Sequence, residues 1–465
     1  MFFRQYYLGC LSHASYLIGD EVSGSAVVVD PQRDVGEYLT DAEAHGLTIT
    51  NVFETHFHAD FLSGHLELAD ATGAAIVYGA QAEGRTEFPI VTFGHGQRLT
   101  LGPSVDLEVL ETPGHTPESI SIVVRDAGPD SAPHAVLTGD TLFIGDVGRP
   151  DLLSAVGHDA DDLARQLHHS LHHYLLTLPD STLVYPAHGA GSACGKHLST
   201  DTVSTIGEQR RSNYALAPMS EDEFVGAVTQ GQSVAPLYFL FAATRNRSAR
   251  GLLDEHVDAP ALSLDRVLAL QADGAVVIDA RDDMSFAGGH LRGSVNVGLG
   301  GRFAEYSGEV MAPDTPIVLV VPEGYEHEAT VRLARIGFDR VLGALADPIH
   351  AFIDHPEVVA KASRLSADAF VERRATVPDL VVVDVRNAGE IAAGMIDGAI
   401  SIPLPSLLAR MNELRPDAPT VVYCAGGYRS SIAASLLRSR GFGDVSDLIG
   451  GHTAWAARAE HLRAG

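Results

Sequence analysis

The C-terminal half of this chain contains two copies of one pattern, and that repeat restricts its fold more than any other feature. AVVIDARDDMSFAGGHLRGSVNVGL begins at Ala275, and LVVVDVRNAGEIAAGMIDGAISIPL begins at Leu380. Asp279 and Asp384 correspond, as do Arg281 and Arg386, and Gly293 and Gly398, each pair 105 residues apart. Each copy then carries a second apolar run, PIVLVV at 316–321 and PTVVYC at 419–424. A Gly-Tyr loop follows in both, then a helical pattern that ends near Gly-Phe. A repeat of this length is a domain rather than a turn of a solenoid. The pattern predicts two small α/β domains with parallel sheets, over residues 256–360 and 361–465.

The preceding residues show no such repeat. Short Val- and Ile-rich runs at 26–30, 51–55, 75–78, 119–124 and 135–138 read as buried strands. Helical patterns lie near 35–45, 62–72 and 159–178, so strands and helices alternate as in α/β enzymes. Residues 202–216 predict one more helix. The stretch from 200 to 260 reads as the close of a first domain, 1–255, and a connector. Acidic residues outnumber basic ones by 60 to 32, a net charge of −28, so the surface repels phosphate backbones and nucleic acid is not an expected partner. Three cysteines among 465 residues are no disulfide framework and point to a reducing cytoplasm. No apolar run is long enough for a membrane span, and the start has no clean secretory apolar core.

Four motifs stand at or just past predicted strand ends. They are His56-Phe57-His58-Ala59-Asp60, then Pro113-Gly114-His115-Thr116, then Gly139-Asp140-Thr141, then Pro186-Ala187-His188-Gly189. One strand cannot surround an ion, so a metal site needs ligands from several such loops. Imidazole and carboxylate suit iron or zinc. In this order, over roughly residues 1–250, the motifs resemble the metallo-β-lactamase fold, which implies an αββα sandwich with the metal at one edge.

The resemblance is to HxHxDH where that fold holds two metals, but the last position here is Phe61, which cannot ligate. A mononuclear site is therefore expected: His56, His115 and Asp140 as a two-histidine, one-carboxylate set on one Fe(II) per chain, with zinc as the alternative. Such a triad leaves positions for a substrate sulfur and O2. The first domain is similar to the persulfide dioxygenase branch of the fold. By that likeness His58, Asp60 and His188 stand behind the ligands, orienting them and moving protons. The competing reading makes His58 a zinc ligand and the domain a glyoxalase II-type thioester hydrolase. Arg149, in a segment resembling the family's GxxGRxD, is expected to meet an anionic substrate. Cys194 and Lys196 lie in GSACGK, six and eight residues after His188, and are expected at the substrate. His168, His169, His172 and His173 read as a solvated helix face, and Cys10 as structural.

The second constellation ends the strand TVVYC: Cys424, Ala425, Gly426, Gly427, Tyr428, Arg429, Ser430. Backbone N–H groups and a helix N-terminus gather around such a loop and favour an anion. Cys424 and Arg429 are the expected catalytic pair, the arginine and the helix end favouring thiolate. Ala425, Gly426, Gly427, Tyr428 and Ser430 are the expected substrate cradle. The pattern resembles the rhodanese domain, and its six-residue loop from Cys424 to Arg429 fits a sulfane sulfur. In the first copy, matching Tyr325 to Tyr428 puts Val321 at the cysteine and Glu326 at the arginine. That copy is expected to be inactive and structural.

Together the resemblances imply a persulfide dioxygenase–rhodanese fusion. The expected reactants are a low-molecular-weight thiol persulfide such as glutathione persulfide, O2, sulfite and thiosulfate, and the chain is expected to form a homo-oligomer.

Overall fold

The computed structural model describes residues 1–392 and 394–464. The chain divides into two compact units, Met1–Gln232 with Phe239–Glu255, and Ser233–Tyr238 with His256–Gly465.

The first unit is two six-stranded sheets face to face. One contains β1 (Phe2–Leu8), β2 (His13–Asp20), β3 (Ser25–Val29), β4 (Thr48–Phe53), β5 (Ala75–Gly79) and β6 (Val91–Phe93) in that spatial order. The other contains β7 (Arg98–Thr100), β8 (Asp106–Glu111), β9 (Ile120–Arg125), β10 (Ala135–Gly139), β11 (Leu183–Pro186) and β12 (Ser204–Thr205), likewise in sequence order. Side chains alternate across a strand, so each sheet has two faces to bury. Tyr16, Ile18, Val27, Val29, Phe53 and Val77 meet Leu107, Val109, Ile122, Val124 and Leu137 between the sheets. The alternate residues Leu17, Ala26, Val28 and Val52 face the opposite way, with Tyr38 and Ala42 of the helix Gly36–Ala44. Val123, Val136 and Val184 pack with Ala164, Leu167 and Leu171 of the helix Ala160–His173 and Phe224 of the helix Glu221–Thr229. Burial on both faces explains why residues 26–29 are apolar without a break. The expected αββα sandwich is the observed fold.

The long helical pattern at 159–178 forms a helix only to His173, then a tight turn over Leu175–Thr177. Within 202–216 only Ile206–Ser212 is α-helical, because Asn213 caps a following turn through its side chain.

The second unit holds two five-stranded sheets, each with every recorded neighbour pair parallel. The first contains β13 (Ala261–Leu262), β14 (Val276–Asp279), β16 (Val295–Asn296), β17 (Ile317–Val320) and β18 (Val341–Leu345). A two-stranded pair, β15 (His290–Leu291) with β19 (Val359–Ala360), lies beside it in the chain order. The second contains β20 (Ser363–Leu365), β21 (Val381–Asp384), β22 (Ile400–Ser401), β23 (Thr420–Tyr423) and β24 (Val445–Leu448). The strand orders, β13-β18-β17-β14-β16 and β20-β24-β23-β21-β22, are the same fold twice. No helix among the described residues is long and apolar enough to cross a membrane.

Candidate active sites

In the first unit the motif residues converge from four loops. His56 follows β4, His115 follows β8, Asp140 follows β10 and His188 follows β11. All four are buried. One donor atom each from His56, His115 and Asp140 lies within 4.8 Å of the others. Asp140 Oδ2 is 3.9 Å from His56 Nε2 and 3.5 Å from His115 Nε2.

The hydrogen bonds behind these atoms leave them facing one another. Thr55 Oγ1 donates to Asp30 Oδ2 at 2.8 Å, so it accepts from His56 Nδ1 at 3.0 Å. His115 Nδ1 donates to the Arg149 carbonyl at 2.9 Å. Both rings then carry their proton on Nδ1 and present the Nε2 lone pair. Asp140 spends Oδ1 on His188 Nδ1 at 2.7 Å. Asp140 Oδ2 and His56 Nε2 have no hydrogen-bond partner among the described residues. Buried polar atoms without partners are costly, and a bound cation satisfies all three donors at once. The residues fit a divalent metal.

His188 links two carboxylates, its Nε2 lying 2.6 Å from Asp60 Oδ2. Burial alone would discharge the imidazole, but Asp140 and Asp60 outweigh it and raise His188 well above its ordinary value. Burial likewise raises Asp60, and the histidines override it, His188 first, so the carboxyl lies well below its ordinary range. The His58 ring lies against His56 at a tilt of 49°, ring centroids 4.1 Å apart, but its Nε2 is 3.0 Å from Asp30 Oδ1 and 3.5 Å from Glu54 Oε2. It is not grouped with the triad donors. Phe61 is buried between His13 and His58, ring centroids 4.0 and 4.4 Å away.

The expected substrate residues divide. Cys194 Sγ reaches Asp60 and His188, with one donor from each inside 4.8 Å. Burial, then the charges of Asp60 and Asp140, push its thiol well up, so it stays protonated. The Arg149 guanidinium is already held by Asp151, Nε to Oδ1 and Nη2 to Oδ2, both at 2.7 Å, and by the Ala193 carbonyl at 3.2 Å. Lys196 Nζ caps the helix Glu221–Thr229, donating to Ala227 O at 2.6 Å and Gln230 O at 2.8 Å, and is not brought to the metal ligands. Asp30, Thr55 and Glu54 were not legible as site residues. A buried aspartate at a left-handed φ of 50°, just after a strand and opposite the HxHxD loop, is the feature that marks Asp30.

In the second unit Cys424 directly follows β23 and is buried, with its Sγ accepting from Gly427 N at 3.1 Å and 3.6 Å from Ser430 Oγ. Gly427 has φ 108°, which lets the chain turn into the helix Tyr428–Ser439. The loop carbonyls are capped from a second helix start: His452 N donates to Cys424 O at 2.7 Å, and Thr453 N to Ala425 O at 3.1 Å. Gly426 is exposed at the mouth. Arg429 forms a bidentate pair with Glu390, at 2.7 and 2.6 Å. Glu390 is absent from the expected set; its place in an Asn387–Glu390 capping box is the signal that disguises it as a helix start. Tyr428 Oη donates to Gly298 O of the first copy at 2.5 Å. Ser431 Oγ donates to Asn296 Oδ1, and Asn296 N to Ser435 Oγ, both at 2.9 Å. The cysteine-free copy therefore grips the helix that carries Arg429.

Comparison with known proteins covers both units. The metallo-beta-lactamase superfamily model matches residues 8–188, and the rhodanese-like domain model matches 263–347 and again 366–458. A cytoplasmic hydroxyacylglutathione hydrolase of Arabidopsis thaliana is 34% identical over 187 residues, 39% of this chain and 66% of the hydrolase. The match thus falls just short of two thirds of that relative. A mitochondrial persulfide dioxygenase of Bos taurus is 31% identical over 241 residues, 50% of this chain and 82% of the dioxygenase. A solved metallo-β-lactamase structure from Staphylococcus aureus is similar with a TM-score of 0.67 and 33% identity, covering 74% of this chain and 98% of that one.

Proposed function

This chain belongs to the metallo-β-lactamase superfamily and carries two rhodanese-like domains behind that fold, and from that premise we propose that it is an iron-dependent persulfide dioxygenase joined to a sulfurtransferase. The observation that carries the dioxygenase reading over thioester hydrolysis is the position of His58. A zinc hydrolase of the kind weighed above takes His58 as a ligand, but here its Nε2 is directed at Asp30 and Glu54. Three donors are left for one metal, His56, His115 and Asp140. These residues would hold Fe(II), which when bound would supply the oxidation of the persulfide sulfur.

The overall reaction is R-SSH + O2 + H2O → R-SH + sulfite + 2 H⁺. The chain's own residues set the conditions for it. Thr55 and the Arg149 carbonyl fix the ring protons of the two histidines. His188 holds a proton between Asp60 and Asp140 and can pass it along that line. Cys194 Sγ lies beside Asp60 and His188 on that line. Arg149 acts through its carbonyl and its Asp151 pair, which position His115, and Lys196 holds the neighbouring helix.

In the second unit the Cys424 thiolate attacks the outer sulfur of R-SSH, its S–S bond breaks, and R-SH leaves with the proton. The enzyme persulfide then gives that sulfur to sulfite, forming thiosulfate and restoring the thiolate. Joining the two activities raises the local concentration of shared sulfite.

Oxygen uptake by the anaerobically purified, Fe(II)-loaded chain, on adding glutathione persulfide, tests the reading. Uptake with sulfite or thiosulfate formed is expected, and His115→Ala should abolish it while Cys424 chemistry persists. No uptake with iron verified, together with S-lactoylglutathione turnover by the zinc form, would overturn it in favour of the hydrolase.

A further inference from the structure

We propose that Asp30, Glu54 and His58 form a second cation site, separate from the His56–His115–Asp140 set, which takes a divalent ion such as Zn(II). One donor atom from each lies within 4.8 Å of the others, and all three residues are buried. Asp30 reaches inward from the end of β3, and Glu54 and His58 flank the first metal ligand in the loop after β4. His58 Nε2 is 3.0 Å from Asp30 Oδ1 and 3.5 Å from Glu54 Oε2. The Ser63 hydroxyl donates to Glu54 Oε1, which leaves Oε2 of Glu54 and Nδ1 of His58 among the buried atoms without a hydrogen-bond partner among the described residues. Converging donors with buried atoms left unsatisfied are what a shared cation leaves between its ligands.

Two further observations point the same way. His65, fully buried, has both ring nitrogens without a hydrogen-bond partner, and its Nδ1 is 3.4 Å from Glu54 Oε1. It stands where an imidazole can orient that carboxylate or join the ion. Arg250 bears on Glu54, but its guanidinium is spent on Glu67 and the Ser63 carbonyl. Two buried carboxylates and one imidazole, away from water, are expensive unless a cation offsets them. One imidazole and two carboxylates without a thiolate suit zinc, manganese or iron rather than copper(I).

The site has a consequence for the triad. Asp30 accepts from Thr55 N at 2.7 Å and from the Thr55 hydroxyl at 2.8 Å, and that hydroxyl accepts from His56. An ion that holds Asp30 therefore holds His56 in the tautomer that presents Nε2. The second ion acts as a positioning element, away from substrate.

Metal content of the full chain tests this. The protein is stripped with a chelator, saturated with Zn(II), freed of excess and assayed for zinc per chain. Two equivalents are expected, falling to one in Glu54→Gln and also to one in His115→Ala. A single equivalent in the unaltered chain overturns the proposal, and so does a Glu54→Gln variant that keeps two. In the Co(II) form of His115→Ala, a thiolate-to-cobalt band would put the remaining ion at Cys194 and equally overturn it; its absence is expected. Because Glu54→Gln could fail to fold, anomalous scattering from zinc-loaded crystals of the unaltered chain is decisive by itself. A peak among Asp30, Glu54 and His58 is expected, and none there refutes the site.

Discussion

Asp279 and Asp384 end the same strand in two copies of one fold, and each is clasped by the arginine two residues on. Arg281 Nε reaches Asp279 at 2.9 Å and Arg386 Nε reaches Asp384 at 3.0 Å. Each arginine also ties down a glycine carbonyl, Gly289 in one copy and Gly394 in the other. The strand pairings align too: Asp279 faces Val320 and Asp384 faces Tyr423, so the next residues, Val321 and Cys424, are equivalent. Even the left-handed glycine is kept, Gly324 at φ 84° and Gly427 at φ 108°. What differs is the lining. The first copy has Pro322, with no N–H to give, and Glu326 at the helix start. The second has Cys424, a Gly427 amide donating to its sulfur, and Arg429 paired with Glu390. Scaffold and chemistry are separable here. One copy keeps the frame and has given its surface to gripping the other.

The largest effect follows from that separation. Cys424→Ser should lower thiosulfate:thiol sulfur transfer by on the order of 10³-fold or more, with oxygen uptake retained. The converse, Val321→Cys, should yield no measurable transfer, because Glu326 and Glu328 at that helix start repel a sulfur anion. Transfer by Val321→Cys in a Cys424→Ser background would mean that the lining matters less than the thiol alone.

A middle effect belongs to Glu390. Burial alone would raise its carboxyl, but Arg429 overrides burial and holds it below the ordinary glutamate range. A lowered folded value means the pair stabilises above the unfolded pKa of about 4.3 and is lost as pH falls through the folded value. Glu390→Gln should therefore melt lower than the unaltered chain near neutral pH, with the gap closing in acid below about pH 4. Its charge gone, Arg429 is left to an anion, so KM for thiosulfate should fall by about three- to tenfold, the scale of one charge-assisted contact. An unchanged KM would show that Arg429 does not reach the substrate.

Much of this was readable beforehand because apolar periodicity and loop motifs are local. The runs at 26–30 and 135–138 became β3 and β10 with little shift, and the loops after them carry Asp30 and Asp140. The triad was legible since each ligand lies in its own short motif. What escaped were partners supplied from afar. Glu390 reaches Arg429 across 39 residues, and Gly298 reaches Tyr428 across 130. Nothing in either local pattern announces the other. Lys196 differs for the opposite reason: eight positions from His188 by chain count is no measure of direction, and its ammonium turns to helix carbonyls.

The smallest effect probes the grip between copies. A Cβ on Gly301 would stand 2.7 Å from Cζ of Tyr428 and 2.9 Å from its Oη, while Gly301 itself has no left-handed φ to protect. Gly301→Ala therefore acts by contact, not by backbone strain. Tyr428 must withdraw, straining its bond to Gly298 O, at a cost of about 1–3 kcal/mol in unfolding free energy. Tyr428 lies between Gly427, which donates to Cys424 Sγ, and Arg429, so sulfur transfer should drop a few-fold, with kcat moving more than KM and oxygen uptake unmoved. Tyr428→Phe keeps the ring and loses only the hydroxyl bond, about 1 kcal/mol. The pair Gly301→Ala with Tyr428→Ala should cost less than the sum of its parts, since the clash vanishes with the ring. Strict additivity by thermal or urea unfolding would show that the copies do not communicate through this contact, and the cysteine-free copy would then be a packing partner alone.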